Sequence, residues 1–123
     1  MRIEPIEPPR KFSAAGVELD HCANVELAAD EQITLVSSSG TEYDIVRKSW
    51  GYYATSSMNR RLAAHGLRAA LTVGTDGKIA LLLVECGHEP EFEDYLDEQR
   101  MRLVTWLDTD DAVAGAVERL EQA

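Results

Sequence analysis

One segment of the sequence, residues 47–61, combines cationic, aromatic and hydroxyl side chains. Guanidinium and ammonium groups bind phosphates and carboxylates, and aromatic rings provide flat faces on which a sugar or a base can stack. A helix that begins within the segment would add free backbone N–H groups and a partial positive charge, which favour an anion. The segment therefore predicts a site for a phosphate, a carboxylate or a sugar nucleotide. The candidate ligand-binding residues are Arg47, Lys48, Trp50, Tyr52, Tyr53, Thr55, Ser57, Asn59, Arg60 and Arg61.

The same composition also has a purely structural interpretation. A capped helix that buries Trp50 and one tyrosine, with its arginines paired to acids elsewhere in the chain, needs no ligand. The spacing of the residues matches no phosphate-binding loop. Both interpretations stay open at the level of the sequence.

Two cysteine–histidine pairs offer zinc-like ligands, His21-Cys22 and Cys86-Gly87-His88. Neither pair has the spacing of a structural zinc motif, and adjacent residues on a strand point to opposite faces. We therefore predict no metal, no cofactor and two separate reduced cysteines. Whether the two pairs approach each other is open.

No catalytic motif is present, and whether the chain is an enzyme is left open. Tyr43 and Asp44 are a conceivable acid/base pair, and a small enzyme using Tyr52, Tyr53 or His65 for proton transfer ranks last among the hypotheses. At the end of a helix, a histidine such as His65 more often caps the last carbonyl groups than acts as a base.

The charge of the chain is distributed unevenly. The 123 residues contain 22 acids and 12 Lys and Arg residues, a formal net charge of −10, which disfavours nucleic-acid binding. Residues 41–84 contain three acids and six bases, so this third of the chain has a net charge of +3. No apolar run is long enough to cross a bilayer and the N-terminus has no signal-peptide core, so we expect no membrane association and a cytoplasmic location.

The candidate residues must be positioned by elements that the apolar pattern predicts. Alternation predicts strands over about 22–27, 32–37 and 42–47, and hydroxyl caps predict a helix that ends before Gly66. Strands over 67–73 and 79–85 are joined by Asp76-Gly77, a favoured hairpin turn. A helix over about 90–100, a strand over 102–107 and a helix over 108–120 follow. The continuously apolar run 79–84 predicts a central strand covered on both faces.

From Glu42 onwards the predicted order is β-α-β-β-α-β. We therefore expect an α+β fold with a ferredoxin-like βαββαβ core, an N-terminal β-hairpin or meander and a C-terminal helix. Residues 1–16, which contain three prolines, are expected to form an extended arm, and residues 17–123 a single α+β domain. The alternative is that the N-terminal meander closes into a small barrel of its own.

Several short runs of the chain together form a recognisable pattern. They are Glu42-Tyr43-Asp44, Arg47-Lys48, Trp50-Gly51-Tyr52-Tyr53-Ala54-Thr55, Ser57, Asn59, Arg61-Leu62, Leu82-Leu83-Val84-Glu85, Phe92-Glu93-Asp94-Tyr95-Leu96 and Trp106-Leu107-Asp108. These runs resemble a family of small uncharacterised bacterial proteins that are often encoded beside surface-polysaccharide or acidic-sugar biosynthesis genes. The resemblance spans roughly residues 20–108 and has no established activity to carry over. Its genomic association implies an acidic or nucleotide-linked sugar as a ligand.

Two functions follow as expectations. The first is a small cytosolic module that binds an anionic ligand at residues 47–61 and serves in surface-glycan biosynthesis. The alternative is a protein-interaction or oligomerising module without a small-molecule ligand, with a homodimer as one possibility.

Overall fold

The chain is mostly β-structure. The computed structural model describes residues 1–54 and 57–122, excluding the side chains at 113, 116, 119, 120 and 122. Within the described residues, the strands form three small antiparallel sheets and contain more than twice as many residues as the three helices. The elements are β1 (Arg2–Ala14), β2 (Val17–Glu26), β3 (Gln32–Val36), β4 (Glu42–Lys48), β5 (Gly51–Tyr53), α1 (Arg61–Ala64), β6 (Leu67–Gly74), β7 (Ile79–Glu85), α2 (Glu89–Glu98), β8 (Met101–Trp106) and α3 (Asp110–Gln122).

The predicted ferredoxin-like core is wrong. That fold needs four strands in one sheet, but β4 pairs with β3 and β5, while β6, β7 and β8 form a separate sheet in the order β7-β6-β8. Helix α1 also has only four residues, too few to be the crossover helix that the fold requires. Short turns on both sides of β4 explain the difference, because they let this strand pair with its neighbours in sequence.

The chain divides into two compact units. One contains Met1–Ile33 and Ile45–Tyr53, and the other contains Thr34–Asp44 and the residues from Ala54 onwards. The expected division into an arm over residues 1–16 and a domain over residues 17–123 stays a prediction. Residues 2–14 form β1, which pairs with β2. The prolines of β1 did not prevent a strand, because proline is compatible with the edge of a sheet.

The core of the second unit lies on both faces of β6. Ala69, Ala70 and Thr72 of this strand are fully buried. On one face Leu62 of α1 packs with Leu67 and Ala69, surrounded by Tyr43, Met58, Leu83 and Leu107. Small residues at the centre let elements approach both faces closely, so β6 is the central strand.

Strand β7 was expected to be central, and this prediction is wrong. It lies at an edge of its sheet, and Ile79 is 73% exposed. The Asp76-Gly77 hairpin is confirmed: Val73 pairs with Ile79, and Gly77 has a φ of 82°. A run of apolar residues therefore marked a strand correctly but not its place in the sheet.

Helix α2 packs against β8 and β7, the two neighbours of β6 in the sheet. The rings of Phe92 and Trp106 lie 5.8 Å apart, and the guanidinium of Arg68 lies 3.8 Å from the centre of the Trp106 ring. Arg68 Nε also donates to Asp108 Oδ2 at 2.8 Å, and this bond raises the pKa of Arg68. Within the described residues, no helix has both the length and the apolar character needed to span a membrane.

Candidate functional site

The first part of the predicted site, residues 47–53, forms a tight hairpin between β4 and β5. Lys48 pairs with Gly51 and Arg47 pairs with Tyr52 across a turn that contains Trp50. Trp50 is 70% exposed and Tyr52 is 60% exposed. Large rings normally lose most of their contact with water on folding, because burying their apolar surface is favourable. We call Arg47, Trp50 and Tyr52 the aromatic hairpin surface.

Arg47 holds this surface in place. Its Nη1 donates to the carbonyl oxygen of Lys48 and, at 2.7 Å, to that of Gly51. Its guanidinium also lies 5.0 Å from the centre of the Tyr52 ring, within cation–π distance. Arg47 therefore closes the hairpin and orients the Tyr52 ring at the same time.

The other two hairpin candidates lie apart from this stack. Lys48 Nζ is 2.5 Å from Asp30 Oδ1, but Asp30 is largely exposed, so water screens the pair. Tyr53 pairs with Val46 and follows Tyr52 directly, so its ring projects from the opposite face of the strand.

The second part of the predicted site belongs to the other compact unit. Ser57 Oγ accepts a hydrogen bond from the Arg61 backbone N–H at 3.2 Å, and Asn59 Nδ2 donates to Asp110 Oδ1 at 2.7 Å. Arg60 is exposed at the start of α1 and makes no side-chain cap. Thr55 lies outside the described residues.

Helix α1 does not provide the anion site expected at its start. It has only four residues, so few peptide dipoles add up along its axis. The backbone N–H groups of Arg61 and Leu62 already donate to the side-chain and main-chain oxygens of Ser57. The donors that were expected to receive an anion are therefore used within the chain.

Arg61 is bound to Asp44, which the sequence analysis considered only as a partner of Tyr43. Asp44 is 6% exposed, accepts from Thr34 Oγ1 at 2.7 Å and accepts from Arg61 Nε at 2.5 Å. The hydrogen bond to Asp44 raises the pKa of Arg61. Asp44 is therefore the buried partner of a cation rather than the acid/base partner of Tyr43.

His65 joins the same cluster. Its Nδ1 lies 3.0 Å from Glu42 Oε2, and its Nε2 lies 2.8 Å from Arg61 Nη1. Because the guanidinium can only donate, Nε2 accepts, and Nδ1 carries the proton that faces Glu42. His65 is thus the C-cap of α1 by position, while its ring contacts side chains rather than the last carbonyl groups.

Ion pairs neutralise several of the basic side chains of residues 41–84. Arg61, Arg68, Lys48 and Lys78 each lie beside an aspartate. Much of the excess positive charge is therefore balanced locally. What the hairpin presents to solvent is aromatic surface more than uncompensated charge.

Sequence reasoning missed a hydroxyl–carboxylate cluster around Glu85. Ser39 Oγ and Thr41 Oγ1 donate to Glu85 Oε1 at 2.8 and 2.9 Å. These bonds, that of Ser39 first, lower the pKa of Glu85. The hydroxyl-rich turn at 37–41 signals a turn, but no local signal pairs it with a residue more than forty positions away.

Glu85 also borders a shallow cleft of about 270 Å³. At its rim, His88 Nδ1 lies 3.1 Å from Glu91 Oε2, and this contact raises the pKa of His88. The residues that line the cleft are Leu83, Val84, Glu85, His88, Glu91, Phe92 and Tyr95.

The pKa of Glu85 gives a direct test of the cluster. We expect Ser39→Ala to raise the Glu85 pKa towards its ordinary value, because the charged carboxylate loses a donor. Since the folded-state pKa is lowered, the stability gained from these bonds is present above the ordinary glutamate pKa and is lost as the pH falls. The measurement is an NMR titration of the side-chain carboxyl carbon.

Ser38→Ala is the matched control, because Ser38 is an exposed residue of the same turn. It should leave the Glu85 titration unchanged. Equal titration curves for Ser39→Ala and the wild type would show that the hydroxyl does not act on Glu85.

The cysteines are free and exposed. Cys22 lies on β2 in the first unit, and Cys86 follows β7 in the second. Within the part of the chain that the structure describes, no group of three or more His, Cys, Asp or Glu residues could hold a metal ion.

In comparisons with protein-family models, curated proteins and solved structures, this chain matches none.

Proposed function

We propose that this protein is a protein-interaction module and that the aromatic hairpin surface contacts its partner. The exposure of Trp50 and Tyr52 supports the proposal more than any other observation. Both rings leave apolar area in water that a partner can cover, which would release a substantial transfer free energy.

The residue types also support this function. Tryptophan, tyrosine and arginine are enriched among the residues that dominate binding at protein interfaces. Their rings present a large contact area while few rotatable bonds need to be ordered. Arg47 restricts Tyr52 further, since the guanidinium lies over its ring, and this order before binding lowers the entropic cost of association.

The chemistry of the surface defines the kind of partner. Trp50 Nε1–H and the Tyr52 hydroxyl are hydrogen-bond donors at the edges of apolar rings. The partner should therefore have an apolar pocket bordered by carbonyl or carboxylate oxygens. We place the interaction in the cytoplasm, because two free exposed thiols fit a reducing compartment.

The first test is binding by hairpin variants. A tagged copy of the protein is used to isolate a partner from the source cells, and the partner is then purified. We expect Trp50→Ala to weaken binding at least about tenfold, since central aromatic contacts contribute more than about 1.4 kcal/mol. Tyr52→Ala should weaken binding in the same direction, as measured by titration calorimetry.

Tyr95→Ala serves as the control, because Tyr95 is also an exposed tyrosine but lies on α2. It should leave the affinity within about twofold, in line with a residue outside the interface. A purified partner that binds all three variants as tightly as the wild type would contradict the proposal. So would the absence of any partner that binds the purified wild-type protein.

The second candidate function is binding of an anionic small molecule. The specific observation in its favour is the hairpin itself, where the Arg47–Tyr52 stack and Lys48 lie within the same few residues. Such a surface suits a ring that carries a phosphate or a carboxylate. The resemblance to proteins encoded near surface-glycan genes makes an acidic or nucleotide-linked sugar the first class to test.

Titration calorimetry with UDP-glucose, UDP-glucuronic acid and inorganic phosphate tests this candidate. If it is correct, at least one of the sugar nucleotides binds more tightly than about 1 mM, an affinity of about −4 kcal/mol. Tyr52→Phe should retain that binding and Tyr52→Ala should lose it, because the stacking ring is needed. No heat above that of dilution with any of the three compounds would remove this candidate.

A further inference from the structure

One face of the β1–β2 sheet carries most of its apolar side chains, together with the paired residues Arg10 and His21. Alternate residues of β2 separate the two sets, with acids Glu18, Asp20 and Glu26 on one face. Residues that pair directly across the two strands share a face, so Ile3 and Phe12 of β1 extend the apolar set. The large aliphatic residues of this face are 41–55% exposed. They are Ile3, Val17, Leu19 and Val25.

In the described part of the chain, the β1–β2 sheet has only two strands. Two-stranded sheets are marginally stable in water, and a third strand or a packed layer usually completes them. Within residues 1–54 and 57–122, no other strand pairs with β1 or with β2. Two edges are therefore available for a further strand.

The two edges are not equivalent. β1 contains Pro5, Pro8 and Pro9, which lack a backbone N–H and keep its edge from pairing. β2 has no proline from Val17 to Glu26. The edge of β2 is therefore the one suited to accept another strand.

We propose that β2 pairs with β2 of a second copy of this chain, antiparallel about a twofold axis. The resulting four-stranded sheet has the order β1-β2-β2-β1, and the apolar side chains of both copies lie on the same face of it. A twofold axis makes the same strand serve both copies, as in most homodimers. This inference does not depend on the aromatic hairpin surface, which lies elsewhere in the chain.

Among the registers that pair most of β2, the charges of this strand favour one. The apolar residues of both copies lie on the same face only if one residue of β2 pairs with the same residue of the second copy. We name each register by this residue, which lies at the axis. An axis at Asp20 places this acid opposite itself, and an axis at Cys22 places Glu18 opposite Glu26. An axis at His21 places Glu18 opposite Asn24 and Asp20 opposite Cys22, so no acid faces another acid.

The same register favours the apolar contacts. It places Val17 opposite Val25 and Leu19 opposite Ala23 of the second copy, which extends the exposed face across the axis. The net charge of −10 opposes approach at long range. At physiological ionic strength this repulsion is screened beyond about 8 Å, so the pairs in direct contact decide whether the strands associate.

Disulfide trapping tests the register. In a background with Cys22→Ser and Cys86→Ser, we expect His21→Cys to form an intermolecular disulfide under mild oxidation. Residues directly opposite in an antiparallel pair have Cα atoms about 4.5–5.5 Å apart, which a disulfide spans. The readout is a species of twice 13.6 kDa on a non-reducing gel.

Asn24→Cys in the same background is the matched control. In the proposed register the two copies of residue 24 are six positions apart along the strand, about 20 Å, too far for a disulfide. Equal trapping by both variants, or trapping by neither, would overturn the proposal.

A charge swap tests the dimer without cysteine chemistry. Asn24→Glu places an acid opposite Glu18 of the second copy at two symmetric positions, so we expect about tenfold weaker dimerisation. Adding Glu18→Lys should restore it. Sedimentation velocity over a range of protein concentrations measures the association.

The comparison removes effects on folding within one copy. Asn24 pairs with Glu4 of its own β1, and this contact is equally unfavourable in the single and the double variant. Restored association therefore reports the contact between copies. A wild-type protein that stays monomeric at about 1 mM, a concentration that detects contacts of about −4 kcal/mol, would overturn the proposal. A double variant no better than Asn24→Glu would do the same.

The outcome is distinguishable from that of the proposed function. Trp50→Ala should leave the sedimentation of the protein unchanged, while the Asn24→Glu variant should still bind the partner of the aromatic hairpin surface. Loss of both properties in one of these variants would instead indicate a folding defect, which circular dichroism detects.

Discussion

Leu62→Ala is expected to lower the free energy of unfolding of the second unit by about 3 kcal/mol. Leu62 is 2% exposed and packs with Leu67 and Ala69 at the centre of the core cluster. Removing its isopropyl group loses the favourable burial of that group and leaves a cavity. Because α1 has only four residues, this contact is the main apolar anchor of the helix on β6. Urea denaturation followed by circular dichroism measures the loss.

Leu35→Ala is the control for this prediction. It removes the same group from a side chain that is 52% exposed, so the loss should stay below about 1 kcal/mol. Equal losses for the two variants would show that Leu62 is not at the centre of the core. A loss of about 3 kcal/mol is a large part of the 5–15 kcal/mol typical of such domains, so the transition should shift clearly.

Asp44→Ala is expected to cost about 2 kcal/mol, the second largest effect. The Asp44 carboxylate is almost fully buried and accepts from the Thr34 hydroxyl and from Arg61 Nε. Loss of a fully buried ion-pair partner costs about 3–5 kcal/mol, because the remaining charge has no partner. Here Arg61 is half exposed and can be hydrated after the change, so the smaller value applies.

Two further variants separate the causes. Asp44→Asn keeps the shape and one acceptor but removes the charge, so its unfolding free energy should lie between those of the wild type and Asp44→Ala. Asp94→Ala removes an exposed aspartate from α2 and should cause no loss, because alanine is the better helix former. If Asp44→Ala were as stable as Asp94→Ala, the buried contact would not stabilise the fold.

Individual elements were predictable because their signals are local. The alternation over 42–47 predicted β4, which spans Glu42–Lys48, and Asp76-Gly77 predicted the turn between β6 and β7. A helix was predicted to end before Gly66, and α1 ends at Ala64, followed by Gly66 with a φ of 85°. In each case the residues that form the feature are neighbours in the chain, so propensity and periodicity describe them.

The candidate site was predictable only in part. The cluster of rings at residues 50–53 was singled out from its composition, but exposure decides what it can do, and composition does not report exposure. The predicted anion site at the start of α1 depended on free donors, and these are used by Ser57. Asp44 and Glu85 were missed as partners because their contacts join distant parts of the chain.

The sequence by itself determined the approximate positions of β3, β4, β6, β7, β8, α2 and α3, because backbone preferences and apolar periodicity act over a few residues. Only the tertiary structure decided which strands share a sheet and which acid faces each base. The order β7-β6-β8 and the pairing of Arg61 with Asp44 depend on contacts between residues far apart in sequence. Such contacts form when whole elements bury apolar surface together, and this collective free energy is absent from any short window of residues.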